Sequence, residues 1–264
     1  MKETLIEIQH LTRHFQESTT FWQGKKYLTA VDDVSFSIHT GEILGLLGTS
    51  GCGKSTIARM LSGLLRPDSG KIWYQGREMQ NLSALEFRPY RREIQIIFQN
   101  PFDCLDPGLS IEKQLLEPMK LWQIGKNRTD RLSQIYSLCE ECRISKSSLQ
   151  KKPSEFSGGQ LQRIAIMRAL LLKPRFLIAD EIVSALDVSV QNQILELLLE
   201  MKERFHLTLL FITHDLTVMC KVTDRMIVMK DGKLTDTGTF QELASQSENS
   251  YFQDLLHASY LFHE

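Results

Sequence analysis

One short stretch constrains this chain more than any other. Gly48-Thr49-Ser50-Gly51-Cys52-Gly53-Lys54-Ser55-Thr56 fits the pattern Gly, four residues, Gly, Lys, Ser or Thr. It follows Ile43–Leu47, a continuous apolar run of strand length. It leads into residues 55–64, where Ile57, Met60, Leu61 and Leu64 fall on one helical face. In that context the glycines let the backbone wrap closely, so that successive N–H groups point at phosphate oxygens. The helix N-terminus adds its positive dipole end. Lys54 is placed to reach β- and γ-phosphates, and the Ser55 hydroxyl to ligate Mg²⁺. The expected ligand is a nucleoside triphosphate.

The rest of the chain alternates strands with helices. Leu5–Leu11, Val34–Ile38, Lys71–Tyr74, Ile94–Phe98, Phe176–Ala179 and Thr208–Thr213 read as strands. Arg225–Met229 and Leu234–Thr237 flank Asp231-Gly232, a strong hairpin signal. Between Pro101 and Pro153 the texture becomes helical, with Ile111–Leu121 and Asp130–Cys139 the clearest segments. Leu161–Leu172 and the amphipathic Val190–Phe205 follow. This order predicts an α/β protein with a mostly parallel sheet covered on both faces and an inserted helical lobe.

Composition narrows the function classes. Thirty-one Lys+Arg against 32 Asp+Glu give a net charge of −1, which opposes general nucleic-acid binding. No run reaches the roughly 18 apolar residues that a membrane-spanning helix needs. The N-terminus carries Glu3, Glu7 and His10 in place of a basic and then apolar leader, so no signal peptide is expected. Five scattered cysteines and no export signal suggest the reducing cytosol.

Two further motifs carry chemistry. Asp180 and Glu181 follow the apolar run Phe176–Ala179. In a doubly wound sheet, carboxylates at that strand end lie beside the phosphate loop. Asp180 would hold Mg²⁺ or its water shell, and Glu181 would polarise the attacking water as general base. Upstream, Ser157-Gly158-Gly159-Gln160 opens a helix, a second potential phosphate-binding element and equally a plain capped helix start.

The full order is the phosphate loop, Gln99, Ser157-Gly158-Gly159-Gln160, Asp180-Glu181, Ser184-Ala185-Leu186-Asp187 and His214. It resembles the nucleotide-binding domain of ATP-binding cassette (ABC) transporters across essentially the whole chain. The resemblance implies a P-loop NTPase of RecA-like core, with an antiparallel β subdomain and a helical subdomain inserted at about 100–160. That domain would occupy residues 1–247, followed by a short tail, 248–264.

It also implies roles. Phe15 would stack on adenine, with Tyr27 as a possible stand-in. Gln99 would touch Mg²⁺ and link the nucleotide to the helical lobe. Ser157, Gly158, Gly159 and Gln160 would close over ATP held by a second subunit. Ser184, Ala185, Leu186 and Asp187 would cross the dimer interface, and His214 would sense the γ-phosphate. The implied cofactors are ATP and Mg²⁺. The implied partners are a second ABC ATPase subunit, two membrane permease subunits and, indirectly, a solute-binding protein, at the cytoplasmic face of the membrane. Phe156 and Ile182 depart from the family's usual Leu and Pro without removing a reacting group.

Ala30–Phe36, Ile97-Phe98-Gln99-Asn100-Pro101, Asp106-Pro107 and Phe211–Leu216 resemble the oligopeptide, dipeptide and nickel importers, as does the insertion Gln16–Tyr27. No cysteine follows Cys220, so the iron–sulfur cluster of many members is not expected. The short tail resembles the second ATPase of nickel-type systems. Another importer group, an exporter, or a cassette acting on nucleic acid or ribosomes stays open. The last usually carries two cassettes or a long coiled coil. Cys139 and Cys142 read as helix thiols, His257 and His263 as surface residues. Trp122, Tyr251, Phe252, Tyr260 and Phe262 read as packing residues or a docking surface. Cys52, inside the phosphate loop, reads as a target for thiol reagents.

Overall fold

The structure, a computed structural model, describes residues 3–16, 27–246 and 250–260. The insertion before Tyr27, Phe262 and His263 therefore lie largely or wholly outside the described residues. The strands are β1 Thr4–Gln16, β2 Tyr27–His39, β3 Ile43–Leu47, β4 Ser69–Tyr74, β5 Arg77–Glu78, β6 Ile94–Ile97, β7 Phe176–Asp180, β8 Thr208–Thr213, β9 Arg225–Lys230 and β10 Lys233–Gly238. The helices are α1 Lys54–Leu61, α2 Ala84–Phe87, α3 Tyr90–Glu93, α4 Ile111–Leu121, α5 Arg128–Glu141, α6 Gly158–Leu170, α7 Val188–Phe205, α8 Leu216–Val222, α9 Phe240–Gln246 and α10 Ser250–Tyr260. The chain divides into two compact units, Met1–Arg88 with Thr208–Glu264, and Pro89–Leu207.

The first unit contains two sheet portions. One is antiparallel, in the order β2-β1-β4-β5. In the other, β3 lies between β8 and β9 and runs parallel to both. Every residue of β3 and β8 is buried, which accounts for their unbroken apolar character. β9 returns antiparallel into β10 through Asp231 and Gly232, both at positive φ (47° and 82°). A tight hairpin turn requires that conformation, and Asp-Gly supplies it readily.

One polar cluster ties the two portions together. Glu42, only 4% exposed, accepts the His39 backbone N–H at 2.7 Å and Arg225 Nη2 at 3.0 Å. Arg225 Nη2 also donates to the Ser37 carbonyl at 2.6 Å. Its Oε1 thus carries two hydrogen bonds, one from a cation, where burial alone would make the charge costly.

In the second unit β6 and β7 pair in parallel, Ile94 opposite Phe176 through Ile97 opposite Ala179. α6 is buried along nearly its whole length and packs against β6 and α7. Arg163 of α6, itself buried, donates to the Cys142 carbonyl at 3.3 Å and to Gln193 Oε1 at 2.8 Å. It thereby joins the end of α5 to α7.

Two expectations need correction. The phosphate-loop helix stops at Leu61 because Gly63 takes a left-handed φ of 69°, so Leu64 lies beyond it and is 57% exposed. The helices α8, α9 and α10 also go beyond the sequence expectations; α8 and α9, of seven residues each, are too short to show a period. Replacing Arg225 by Met would leave Glu42 buried without its cation. We expect a loss of about 3 kcal/mol in denaturant unfolding, at the low end for breaking a buried pair because Arg225 is partly exposed.

Candidate phosphate-binding and hydrolytic site

The loop from Gly48 to Gly53 is moulded by backbone on two sides. A Cβ at Gly48 would overlap the Met229 carbonyl oxygen, and one at Gly53 the Ala30 carbonyl oxygen. Gly53 also takes φ 108°, where side chains are strained. From the β9–β10 turn, Gly232 donates its N–H to the Cys52 carbonyl at 3.1 Å. Lys54 Nζ folds back onto the loop and donates to the carbonyls of Gly48 at 2.8 Å and Thr49 at 3.0 Å. Gly53 caps α1 without a side-chain hydrogen bond, and the first turn contains no acidic residue. The helix therefore begins with backbone donors, a positive dipole end and no competing carboxylate, a site built for an anion. Ser55 and Thr56 are half-buried at its start, whereas Thr49, Ser50 and Gly51 are exposed.

His214 belongs to the same unit. β3 and β8 pair with Leu47 opposite Thr213, so Gly48 and His214 leave the sheet at the same level on adjacent parallel strands. His214 is exposed. The next residue, Asp215, caps α8 by accepting the N–H groups of Thr217 and Val218 at 2.8 and 3.2 Å. Phe15, half-buried near the end of β1, carries the Arg13 guanidinium 5.1 Å from its ring centroid. Tyr27, the stand-in, is 56% exposed.

The second unit repeats this geometry. Ile97 faces Ala179 across β6 and β7, so Gln99 and Glu181 emerge together just past the strand ends. Gln99 Nε2 donates to Ser184 Oγ at 3.2 Å, and that hydroxyl donates to the Glu181 carbonyl at 3.0 Å. Asp180 is buried, 6% exposed, at the last position of β7. Glu181 takes a left-handed φ of 50°, uncommon for a residue with a side chain. The backbone thus turns sharply between the two carboxylates.

Ser157 caps α6 in a reciprocal capping box. The Gln160 N–H donates to Ser157 Oγ at 3.4 Å, and the Ser157 N–H donates to Gln160 Oε1 at 3.0 Å. Gly158 is exposed; Gly159 is buried, and a Cβ there would come within 2.5 Å of Val190 Cγ1. The start of α7 therefore presses on the glycine pair. Asp187 caps α7 through the Val190 N–H at 3.0 Å, and Ala185 and Leu186 complete the preceding loop. Sequence reasoning missed Gln191, whose side-chain amide donates to the carbonyls of Val183 and Leu186, both at 3.0 Å. Its only signal is a polar residue one turn into a helix.

Burial shields Cys52, Cys139 and Cys142. Cys52 is 5% exposed, and burial pushes its thiol up against the opposing pull of Lys54. Cys139 and Cys142 are fully buried, their thiols raised by burial to about 11 and about 12. His257 is exposed.

A strand, glycine loop and helix with the lysine folded onto the loop define a P-loop nucleotide-binding protein. Residues 31–184 match the ABC transporter family. The chain is 38% identical over 260 residues to the oligopeptide transport ATP-binding protein OppF of Salmonella typhimurium, covering 97% of this chain and 78% of that one. It is 40% identical over 259 residues to a putative peptide import ATP-binding protein of Brucella ovis, covering 98% and 80%. Among solved structures, the ATP-binding cassette MJ0796, in a dimeric post-hydrolysis state bound to ADP and phosphate, superposes with a TM-score of 0.80 at 26% identity, covering 89% of this chain and 98% of that one. The chain belongs to the ABC transporter family.

Because the thiolate is the reacting form, iodoacetamide should label Cys52 slowly at neutral pH and faster as pH rises past 9. Rapid, pH-independent labelling in peptide mass spectrometry would contradict the buried placement.

Proposed function

We propose that this ABC ATPase powers the uptake of peptides through a membrane importer. The observation that carries the reading is the anion cradle at Gly48–Thr56, with Lys54 held on the loop at a helix start that has no side-chain cap. The peptide-import relatives support the cargo class. No helix among the described residues is long and apolar enough to cross a membrane, so the proposed pore belongs to two permease subunits. The helical segment between residues 100 and 160 is their proposed docking lobe. A solute-binding protein would deliver the cargo, and the working position is the cytoplasmic face of the membrane.

In this reading the phosphate loop Gly48–Thr56, with Lys54, binds the ATP phosphates, and Phe15 takes the adenine. Mg²⁺ would be held by hard oxygen donors, and the Ser55 hydroxyl, the Gln99 amide and the Asp180 carboxylate are of that type. When bound, Mg²⁺ offsets the charge of the phosphate oxygens. Glu181 accepts a proton from the attacking water. The water oxygen bonds to the γ-phosphorus as the bond to the bridging β–γ oxygen breaks, giving ADP and phosphate. His214 contacts the γ-phosphate. Ser157, Gly158, Gly159 and Gln160 face the ATP of a second ATPase subunit, with the loop 184–187 at the interface. Closure would require the γ-phosphate and hydrolysis would release it, a two-state cycle.

Glu181→Gln should remove ATP turnover by at least about 100-fold, the scale of a lost general base, while retaining an ATP-bound dimer in size-exclusion chromatography. Wild-type turnover in that variant would sink the base assignment. Reconstituted with its permeases and binding protein, the ATPase should be stimulated by oligopeptides. Stimulation by nickel and not by peptides would overturn the cargo.

A further inference from the structure

The tail contributes to the nucleotide loop. Tyr251, in the first turn of α10 and 9% exposed, reaches the loop 202 residues earlier in the chain. The Thr49 backbone N–H donates to Tyr251 Oη at 3.1 Å, and the Tyr251 hydroxyl lies 3.4 Å from Thr49 Oγ1, to which it donates. The phenol ring is held in turn: Lys230 Nζ, at the end of β9, lies 4.8 Å from its centroid. The next residue, Phe252, is fully buried, and α10 packs against α8 and α9. Tyr251 is therefore a fixed group anchored by its helix.

Its position matters because of which peptide it holds. The Thr49 N–H and the Gly48 carbonyl belong to one peptide unit, which is planar and here trans. The carbonyl end of that plane accepts Lys54 Nζ at 2.8 Å. The tyrosine hydroxyl and the lysine ammonium thus sit at opposite ends of one rigid plane, and hydrogen bonds at the two ends polarise each other. Fixing the N–H end fixes where the Gly48 carbonyl points, one of the two loop carbonyls on which Lys54 rests.

We infer that Tyr251 is a positioning residue of the phosphate loop, setting the Gly48–Thr49 peptide and through it Lys54. The inference rests on the assignment of Lys54 and its loop as the ATP site. It gives the tail a place in nucleotide binding that none of the catalytic motifs contains. Tyr251 touches neither phosphate nor water in this role, so its removal should act on affinity and leave the hydrolytic groups alone.

The test uses the full chain with Mg-ATP and two variants. Tyr251→Phe keeps the ring over Lys230 and removes only the hydroxyl. Loss of one hydrogen bond should raise KM for ATP, and Kd for a fluorescent ATP analogue, about 3- to 10-fold, with kcat within 2-fold of wild type. Amide exchange in a peptide covering residues 48–51 should accelerate without nucleotide present. Phe252→Leu should instead lower the melting temperature and leave KM within 2-fold, separating positioning from general stability. If Tyr251→Phe matches wild type in KM, Kd and exchange, the inference is overturned. It is overturned equally if the variant merely loses stability as Phe252→Leu does. A wild-type chain that binds no nucleotide would remove the site assignment and this inference together, whereas tight wild-type binding unchanged by the substitution removes the inference alone.

Discussion

Two carbonyl oxygens, those of Ala30 in β2 and Met229 in β9, press so closely on Gly53 and Gly48 that neither position has room for a side chain. The rest of the site follows from this crowding. Backbone packed against backbone bends the chain between β3 and α1, and the Gly232 N–H fixes that bend by donating to Cys52. With backbone as its wall, the loop keeps Lys54 folded onto the Gly48 and Thr49 carbonyls at the start of α1. The antiparallel sheet and the β9–β10 hairpin, which contribute no reacting group, are therefore the mould in which the loop is cast.

Much of this was legible in the sequence because motif and period agreed. The runs at Ile43–Leu47 and Thr208–Thr213 are buried throughout and read as strands to the residue. Ile111–Leu121 likewise matches α4 at both ends, since its apolar positions span three turns before a loop. The Asp-Gly hairpin was equally plain, because few residue pairs tolerate two successive positive φ values. Leu64 was misread because the helical period continues on paper after Gly63 has already turned the chain away.

What stayed hidden was long-range contact among ordinary residues. Glu181 in a left-handed conformation, Gln191 holding two loop carbonyls, and Arg163 joining three elements have no local signature. Ser157 and Gln160 were legible as types, but their reciprocal cap emerges only from coordinates. That cap satisfies one N–H in the first turn of α6 and the N–H of the capping residue itself. The amides of Gly158 and Gly159 have no acceptor within the helix, as at any helix start, and the crowding from Val190 keeps side chains away from one of them. The start of α6 is thus well capped by its flanking polar pair, while its glycine amides stay without a helical acceptor.

The spacing of these contacts along the chain has a consequence for how the protein is made. Among the described residues β3 finds its parallel neighbours in β8 and β9, and the Gly41 N–H that bonds Thr208 Oγ1 spans 167 residues. A ribosome therefore releases the whole of Pro89–Leu207 before the strand leading into the phosphate loop can be flanked. Until then an apolar strand waits with both edges unpaired, the kind of intermediate that folds slowly and attracts chaperones. The strand that leads into the phosphate loop is accordingly flanked on both edges only after β8 and β9 have been made.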